Sequence, residues 1–310
     1  MPKFPAAFAI LGLTAVALVG CSAAGTADCA RTVTDDPALD LVEVTGSTDA
    51  APDVDLYTPF RVSAPAYEDL AQGDGEVPIT STDQLVVLDL TLYNGTDGER
   101  LLGSPYDGDL SQPIALSQFT QPLPALEDAL TCASVGSRVV VAMSPDDIED
   151  EVAASIQLGP DDSAVAVVDV RKVYLPAADG ALQFNSGMGL PAVVRAPDGH
   201  PGVVVPEGAA PDELVVQTIK RGDGPVVSED APVRVHQLVV SWDDQEVLQS
   251  TWEAAPQSIN VSDNEVYQDI FDGATVGSQL MAVVPAELGG TEQTTVWVFD
   301  ILGEDAAPAQ

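Results

Sequence analysis

Apolar and polar residues are distributed in two different ways along this chain. From Phe4 to Gly20 the residues are apolar or small, with no charge and a single hydroxyl, Thr14. That run is too short and too abruptly ended for a comfortable bilayer span, and it fits the apolar part of a signal peptide behind Met1-Pro2-Lys3. Nothing later is apolar for long enough to cross a membrane. The rest alternates with period two in short runs bounded by Gly, Asp and Pro, the pattern of half-buried strands between turns. Asn94-Gly95 reads as one such hairpin turn. Residues 26–65 are rich in Asp, Thr and Pro with only weak alternation (Leu41-Val42-Glu43-Val44), which predicts a tether ending in a strand or two.

The strand pattern contains a repeat. Gly73-Asp74-Gly75 recurs as Gly222-Asp223-Gly224, each followed by a Val-rich strand. Ser134-Val135-Gly136-Ser137-Arg138 recurs as Thr275-Val276-Gly277-Ser278-Gln279, again leading into a strand and then a proline, Pro145 or Pro285. Val167-Val168-Asp169-Val170 recurs as Val298-Phe299-Asp300-Ile301 and closes each copy. One helix interrupts the strands before each Val-Gly-Ser turn. It covers Pro124 to Leu130 in the first copy, where Pro124 suits a first helical position, and runs from near Tyr267 to Gly273 in the second. One helix on a bent antiparallel sheet, twice, is an α+β arrangement. Between the copies, residues 176–211 hold many Pro and Gly and read as a semi-rigid linker whose Val203-Val204-Val205 could add a strand. The expected organisation is a leader at 1–20, a tether at 21–55, domains at 56–175 and 212–304 joined by that linker, and a tail at 305–310.

Charge changes the picture of partners. With 49 acidic against 11 basic residues and a formal net charge of −38, the surface repels nucleic acid and anionic lipid headgroups. Leu18-Val19-Gly20-Cys21 resembles the lipobox of bacterial prolipoproteins, which implies a lipid on Cys21 and a place on the outer face of the cell membrane. In an exported chain the two remaining cysteines, Cys29 and Cys132, favour one disulfide over metal binding or a nucleophile.

In their shared order these motifs resemble the FKBP family of peptidyl-prolyl isomerases, in the two-domain lipoprotein form of actinobacteria. The second copy carries the resemblance best. Leu214-Val215-Val216 to Gly222-Asp223-Gly224, Val233-Arg234-Val235-His236, Ser250-Thr251-Trp252-Glu253 and Val283-Val284-Pro285-Ala286-Glu287-Leu288-Gly289 match its strands and turns in order. The resemblance implies clients that are proline-containing exported or cell-envelope proteins, and no cofactor or metal. Turning an X-Pro amide means breaking its resonance, against a barrier of about 18–20 kcal/mol. FKBPs lower that barrier by holding the proline in a dry aromatic pocket, without a nucleophile or general acid. The chain has two histidines, His200 and His236, and no Ser/His/Asp or metal-ligand set can be assembled.

The resemblance places the second copy's pocket at Gln237, Leu248, Gln249, Val266, Tyr267, Ile270 and Trp297, where most of the family's aromatic residues are replaced. In the first copy Asp89, Leu102-Gly103, Leu126 and Ala166 fall at the corresponding places. Its flap is replaced by Ser144 to Glu151, which reads as a capped acidic helix start with Ser144 as cap and Pro145 in the first position. Two functions follow: weak isomerisation carried by the second copy, or a non-catalytic binding or chaperone module that kept the fold and lost the pocket.

Overall fold

The computed structural model describes residues 29–34, 36–185, 187–196 and 199–307. The leader at 1–20, Cys21 and residues 308–310 of the tail lie outside the described residues. The described residues are mostly β-sheet and 13% helical. Among the described residues no helix is long and apolar enough to cross a membrane.

The first unit runs β1 (Val42–Thr45), β2 (Asp53–Leu56), β3 (Ala66–Ala71), β4 (Leu85–Asn94), β5 (Arg100–Gly103), β6 (Ile114–Ala115), α1 (Ser117–Thr120), α2 (Ala125–Leu130), β7 (Arg138–Met143), α3 (Asp150–Ser155) and β8 (Ala164–Val173). The second runs β9 (Ala181–Leu182), β10 (Ala192–Arg195), β11 (Pro201–Val204), β12 (Val215–Arg221), β13 (Val233–Ser241), β14 (Val247–Ser250), β15 (Gln257–Ile259), α4 (Glu265–Phe271), β16 (Gln279–Val284), α5 (Ala286–Gly289) and β17 (Thr295–Glu304). The main sheets are ordered β3-β7-β8-β4-β5 and β12-β16-β17-β13-β14, the same path twice, with β6 on β4 and β15 on β13 as the matching extra pairs.

The repeat extends to single hydrogen bonds. Ser137 Oγ accepts from Gly73 N and Ser278 Oγ from Gly222 N, both at 3.0 Å. Gly136 N donates to Val170 O and Gly277 N to Ile301 O, both at 2.9 Å. A Cβ on Gly73 would sit 2.5 Å from Ser134 O, and one on Gly222 2.0 Å from Val276 O. Only glycine allows that approach of backbone to backbone, which is why Gly-Asp-Gly marks both copies.

The end of the expected tether does form strands, and the expected linker holds packed strands of its own. Residues 42–56 form a β1–β2 hairpin that lies across the sheet face turned away from α2. Val42, Val44, Val54 and Leu56 point inward onto Val140, Ala142 and Val165. Residues 192–204 form a second hairpin, β10–β11, on the same face of the second sheet, where Val193, Val203 and Val205 meet Leu238, Val240, Met281 and Val298. β9 extends that sheet beyond β12. The segment read as a linker is therefore part of the second unit. Each buried Val or Leu contributes about 1.5–3 kcal/mol, and without the hairpins both faces of β7, β8, β16 and β17 could not be apolar.

The units pack on each other. Tyr174 is buried against Leu85, Leu175 and Leu302. Its hydroxyl donates to Asp305 Oδ1 (2.8 Å), Asp305 pairs with Arg234 (2.8 Å), and Lys172 Nζ donates to Glu304 O (2.6 Å). The expected tail thus begins inside the junction.

Candidate functional site

Between α4 and the sheet of the second unit lies a cluster of aromatic residues. Trp297 and Phe299 project from alternate positions of β17 toward the helix, which returns Val266, Tyr267, Ile270 and Phe271. Ring centroids lie 5.8 Å apart for Tyr267–Trp297, 5.2 Å for Phe271–Phe299 and 6.1 Å for Trp297–Phe299, in tilted or edge-on pairs. The indole N–H of Trp297 donates to Thr295 Oγ1 at 2.9 Å. Asn264 caps α4 by accepting from Val266 N at 2.8 Å, which fixes where the helix starts and so where Tyr267 stands. Tyr267 is half-buried, and burial raises its phenol pKa.

Of the residues predicted for the site, Val266, Tyr267, Ile270 and Trp297 come together here. Gln237 faces the same side but is buried, its Oε1 accepting from Gln257 Nε2. Leu248 and Gln249 stand on the edge strand β14. A bulge there leaves Leu248 without an opposite residue and 51% exposed, while Gln249 lies exposed opposite Val239. Phe271 and Phe299 were not predicted. Their signal was positional, four residues after Tyr267 on a helix and two after Trp297 on a strand. Among the described residues no group of His, Cys, Asp and Glu is placed to hold a metal ion. Trp297 (8% exposed), Val266, Ile270, Phe271 and Phe299 are buried, so Tyr267 is the aromatic residue through which this apolar cluster reaches the surface.

In the first unit the corresponding face is closed by its own chain. The β7–β8 connection, residues 144–163, carries Ile148, Val152, Ile156 and Leu158 onto the core beneath α2. Ser144 and Asp147 form a capping box around Pro145, and Glu149 N bonds Pro122 O at 3.2 Å, tying the plug to the chain before α2. The β16–β17 connection, residues 285–294, is half as long, and its Leu288 is 49% exposed. It leaves the Tyr267 side of the cluster uncovered.

One register correction follows. Asp89 lies opposite Asp169, and His236 lies opposite Asp300. Asp89 therefore corresponds to His236, not to Gln237, and Leu90 corresponds to Gln237. A one-residue shift in a strand changes the face. Asp89 points away from α2, toward Arg171 (3.5 Å), and burial raises its carboxyl pKa more than Arg171 lowers it. The plug, not a carboxylate, closes the first unit's face. Leu126 and Ala166 are buried in its core, while Leu102 and Gly103 lie on the edge strand β5.

His236 likewise faces away from the aromatic cluster. Its Nδ1 is 3.0 Å from Thr251 Oγ1, and its ring stacks on Trp252 at 4.2 Å. Burial first, and then nearby His200, lower its pKa to about 4. The folded state thus refuses a proton that the unfolded chain accepts near pH 6.5. The stability from burying the neutral ring is fully present above about pH 6.5 and is lost as pH falls toward 4. Relative to His236→Phe, the protein is expected to lose about 2–3 kcal/mol of unfolding free energy between pH 7 and 4. Parallel pH profiles for the two proteins in urea titrations would reject this.

No protein-family model and no curated protein matches the chain. Solved structures do. The three FKBP domains of wheat FKBP73 are similar at 14% identity, over 78% of this chain and 94% of that one, with a TM-score of 0.34. A peptidyl-prolyl cis-trans isomerase from Pseudomonas syringae is similar at 18% identity, over 35% of this chain and 74% of its own, with a TM-score of 0.28. FkpA from Escherichia coli is similar at 18% identity over 40% of this chain and 55% of its own, with a TM-score of 0.29. These structural neighbours are FKBP-type prolyl isomerases.

Proposed function

We propose that this is a lipid-anchored extracytoplasmic protein of two FKBP-like α+β domains, in the two-domain lipoprotein form of actinobacteria. Its second domain takes proline-containing segments of exported or cell-envelope proteins against Tyr267 and Trp297 and weakly accelerates X-Pro isomerisation. The observation that supports this reading is the asymmetry of the two β-sheet faces: residues 144–163 fill the first, and the shorter residues 285–294 leave the second uncovered at Tyr267. A proline ring on that apolar wall is removed from water, and a desolvated amide loses less on twisting than a hydrated one. A non-catalytic binding module is the second reading. It is favoured by Gln237, whose amide is engaged by Gln257, and by Leu248 and Gln249, which stand out on the edge strand.

The test is an isomerase assay of residues 22–310 with an X-Pro peptide. Acceleration above the uncatalysed rate is expected, reduced at least tenfold in Trp297→Ala and in the milder Tyr267→Leu. Unchanged rates in both folded variants would reject the site. Proline-peptide binding without acceleration would establish the non-catalytic reading. For the anchor, Cys21→Ser is expected to release the protein from membranes or leave unprocessed precursor; unchanged membrane association would remove the lipid from this proposal.

A further inference from the structure

A cleft of about 470 Å³ opens where the two units meet, away from the aromatic cluster between α4 and the sheet. Its size lies within the range of small-ligand sites, about 300–1,000 Å³, and domain junctions are a preferred place for them. One wall is Trp252, whose ring is stacked on His236 at 4.2 Å and meets the tilted ring of His200 at 5.1 Å. The opposite wall begins at Gln84, a buried amide already committed on both sides. Gln84 Nε2 donates to Tyr174 O (2.7 Å) and Pro78 O (3.0 Å), and Gln84 Oε1 accepts from Thr80 N (2.9 Å). These walls are therefore preformed. Asp83 comes from the first unit and Glu253 from the second; both line the cleft and both are exposed. Arg195, exposed on β10, is the one Lys or Arg among the lining residues.

We infer that this cleft binds a cationic side chain, lysine or arginine, presented by a basic peptide segment. An aromatic face attracts a cation placed over it, most strongly when the ring is tryptophan. The lining brings two carboxylates, Asp83 and Glu253, against one guanidinium and the imidazoles of His200 and His236, the latter held neutral by burial. The rest of the molecule favours the same sign. Arg31, Arg61, Arg138, Arg171 and Arg234 are each ion-paired within the fold, so the net charge of −38 is presented to solvent largely as carboxylate. Such a field draws basic segments toward the protein, and the cleft gives them a defined seat.

The experiment is calorimetric titration of residues 22–310 with acetyl-Ala-Ala-Lys-Ala-Ala-amide and with the same peptide carrying norleucine for lysine. The lysine peptide is expected to bind at least tenfold more tightly than the norleucine peptide. Trp252→Ala and the double variant Asp83→Asn/Glu253→Gln are each expected to weaken it at least fivefold. The control Asp146→Asn/Glu151→Gln removes the same charge from the first unit's plug and is expected to change affinity less than twofold. The double variant alters only exposed side chains, so it remains informative if Trp252→Ala fails to fold. Equal binding of both peptides, equal losses in the two double variants, or no lysine binding at millimolar concentration would each overturn the proposal.

Discussion

Arg138→Ala is expected to cost the first unit about 3–5 kcal/mol, because it removes one partner of a buried ion pair and leaves the other uncompensated. Arg138 Nε and Nη2 hold Asp169 at 2.7 and 2.8 Å, and both side chains are nearly inaccessible to water. The same guanidinium donates to Gly46 O, Ser47 O and Ala50 O at 2.9–3.0 Å, the backbone of the turn between β1 and β2. Alanine would therefore leave the Asp169 charge with only the neutral Tyr106 hydroxyl (2.8 Å) as a side-chain donor, and would unclamp the hairpin that covers Val140, Ala142 and Val165. The second unit shows what a milder change keeps. Gln279 occupies the equivalent position and donates to Asp300 Oδ1 at 2.7 Å, while Ala178 N donates to Oδ2 at 2.9 Å. Burial raises the Asp300 pKa, outweighing the hydrogen bonds from Gln279 and Ala178 N and the more distant charges of Lys220 and Arg195. The pair Arg138→Gln/Asp169→Asn should accordingly cost less than Arg138→Ala. Urea titration followed by linear extrapolation measures the difference. A loss below about 1 kcal/mol for Arg138→Ala would contradict this account of the hairpin's attachment.

Replacing Cys29 and Cys132 by serine has the next largest expected effect. The two are bonded across a separation of 103 residues, with their Cα atoms 5.3 Å apart. Chain-entropy arguments assign about 4–5 kcal/mol to closing a loop of that size, and removal of a native bridge typically costs about 2–5. The bridge pins more than a loop. Residues just beyond Cys29 run along the edge of β3, where Arg31 pairs with Asp69 and also donates to Thr131 O (2.6 Å), and Thr34 N bonds Tyr67 O (3.0 Å). Freed from Cys132, that strap would leave both the sheet edge and the end of α2. The double serine variant is expected to unfold at markedly lower urea, with the shift confined to the first unit's transition. A shift below about 1 kcal/mol, or two free thiols by mass spectrometry in protein purified without reductant, would reject it.

Much of the architecture could be read locally. Gly73 and Gly222 mark places where a Cβ would collide with backbone, and glycine is legible as such in any sequence. The Val-Gly-Ser turns, the helices α2 and α4 that precede them and the period-two strands follow from short-range sequence signals, whereas α1, a further helix before the first turn, was not among the expected elements. The aromatic cluster was half legible. Tyr267 and Trp297 were found, while Leu248 was misplaced because a bulge is a matter of pairing, which one strand's sequence does not contain. The same holds for Asp89, whose face is settled by the strand opposite.

The sequence by itself determined that this chain is a strand-rich, strongly acidic molecule made twice from one pattern, because turn chemistry, periodicity and charge are properties of short segments. Tertiary structure decided what covers each sheet. Residues 42–56 and 192–204 look polar and loosely patterned, since only one side of each hairpin is apolar. Val42 and Leu56 gain burial only when β7 and β8 are already beneath them, and Val203 only on the sheet of β13 and β17. Tertiary structure also decided that residues 144–163 plug the helix-side face of the first sheet and that 285–294 leave Tyr267 half-buried on the second. That depends on where Ile148, Val152 and Leu158 land, a question of distance in space rather than along the chain.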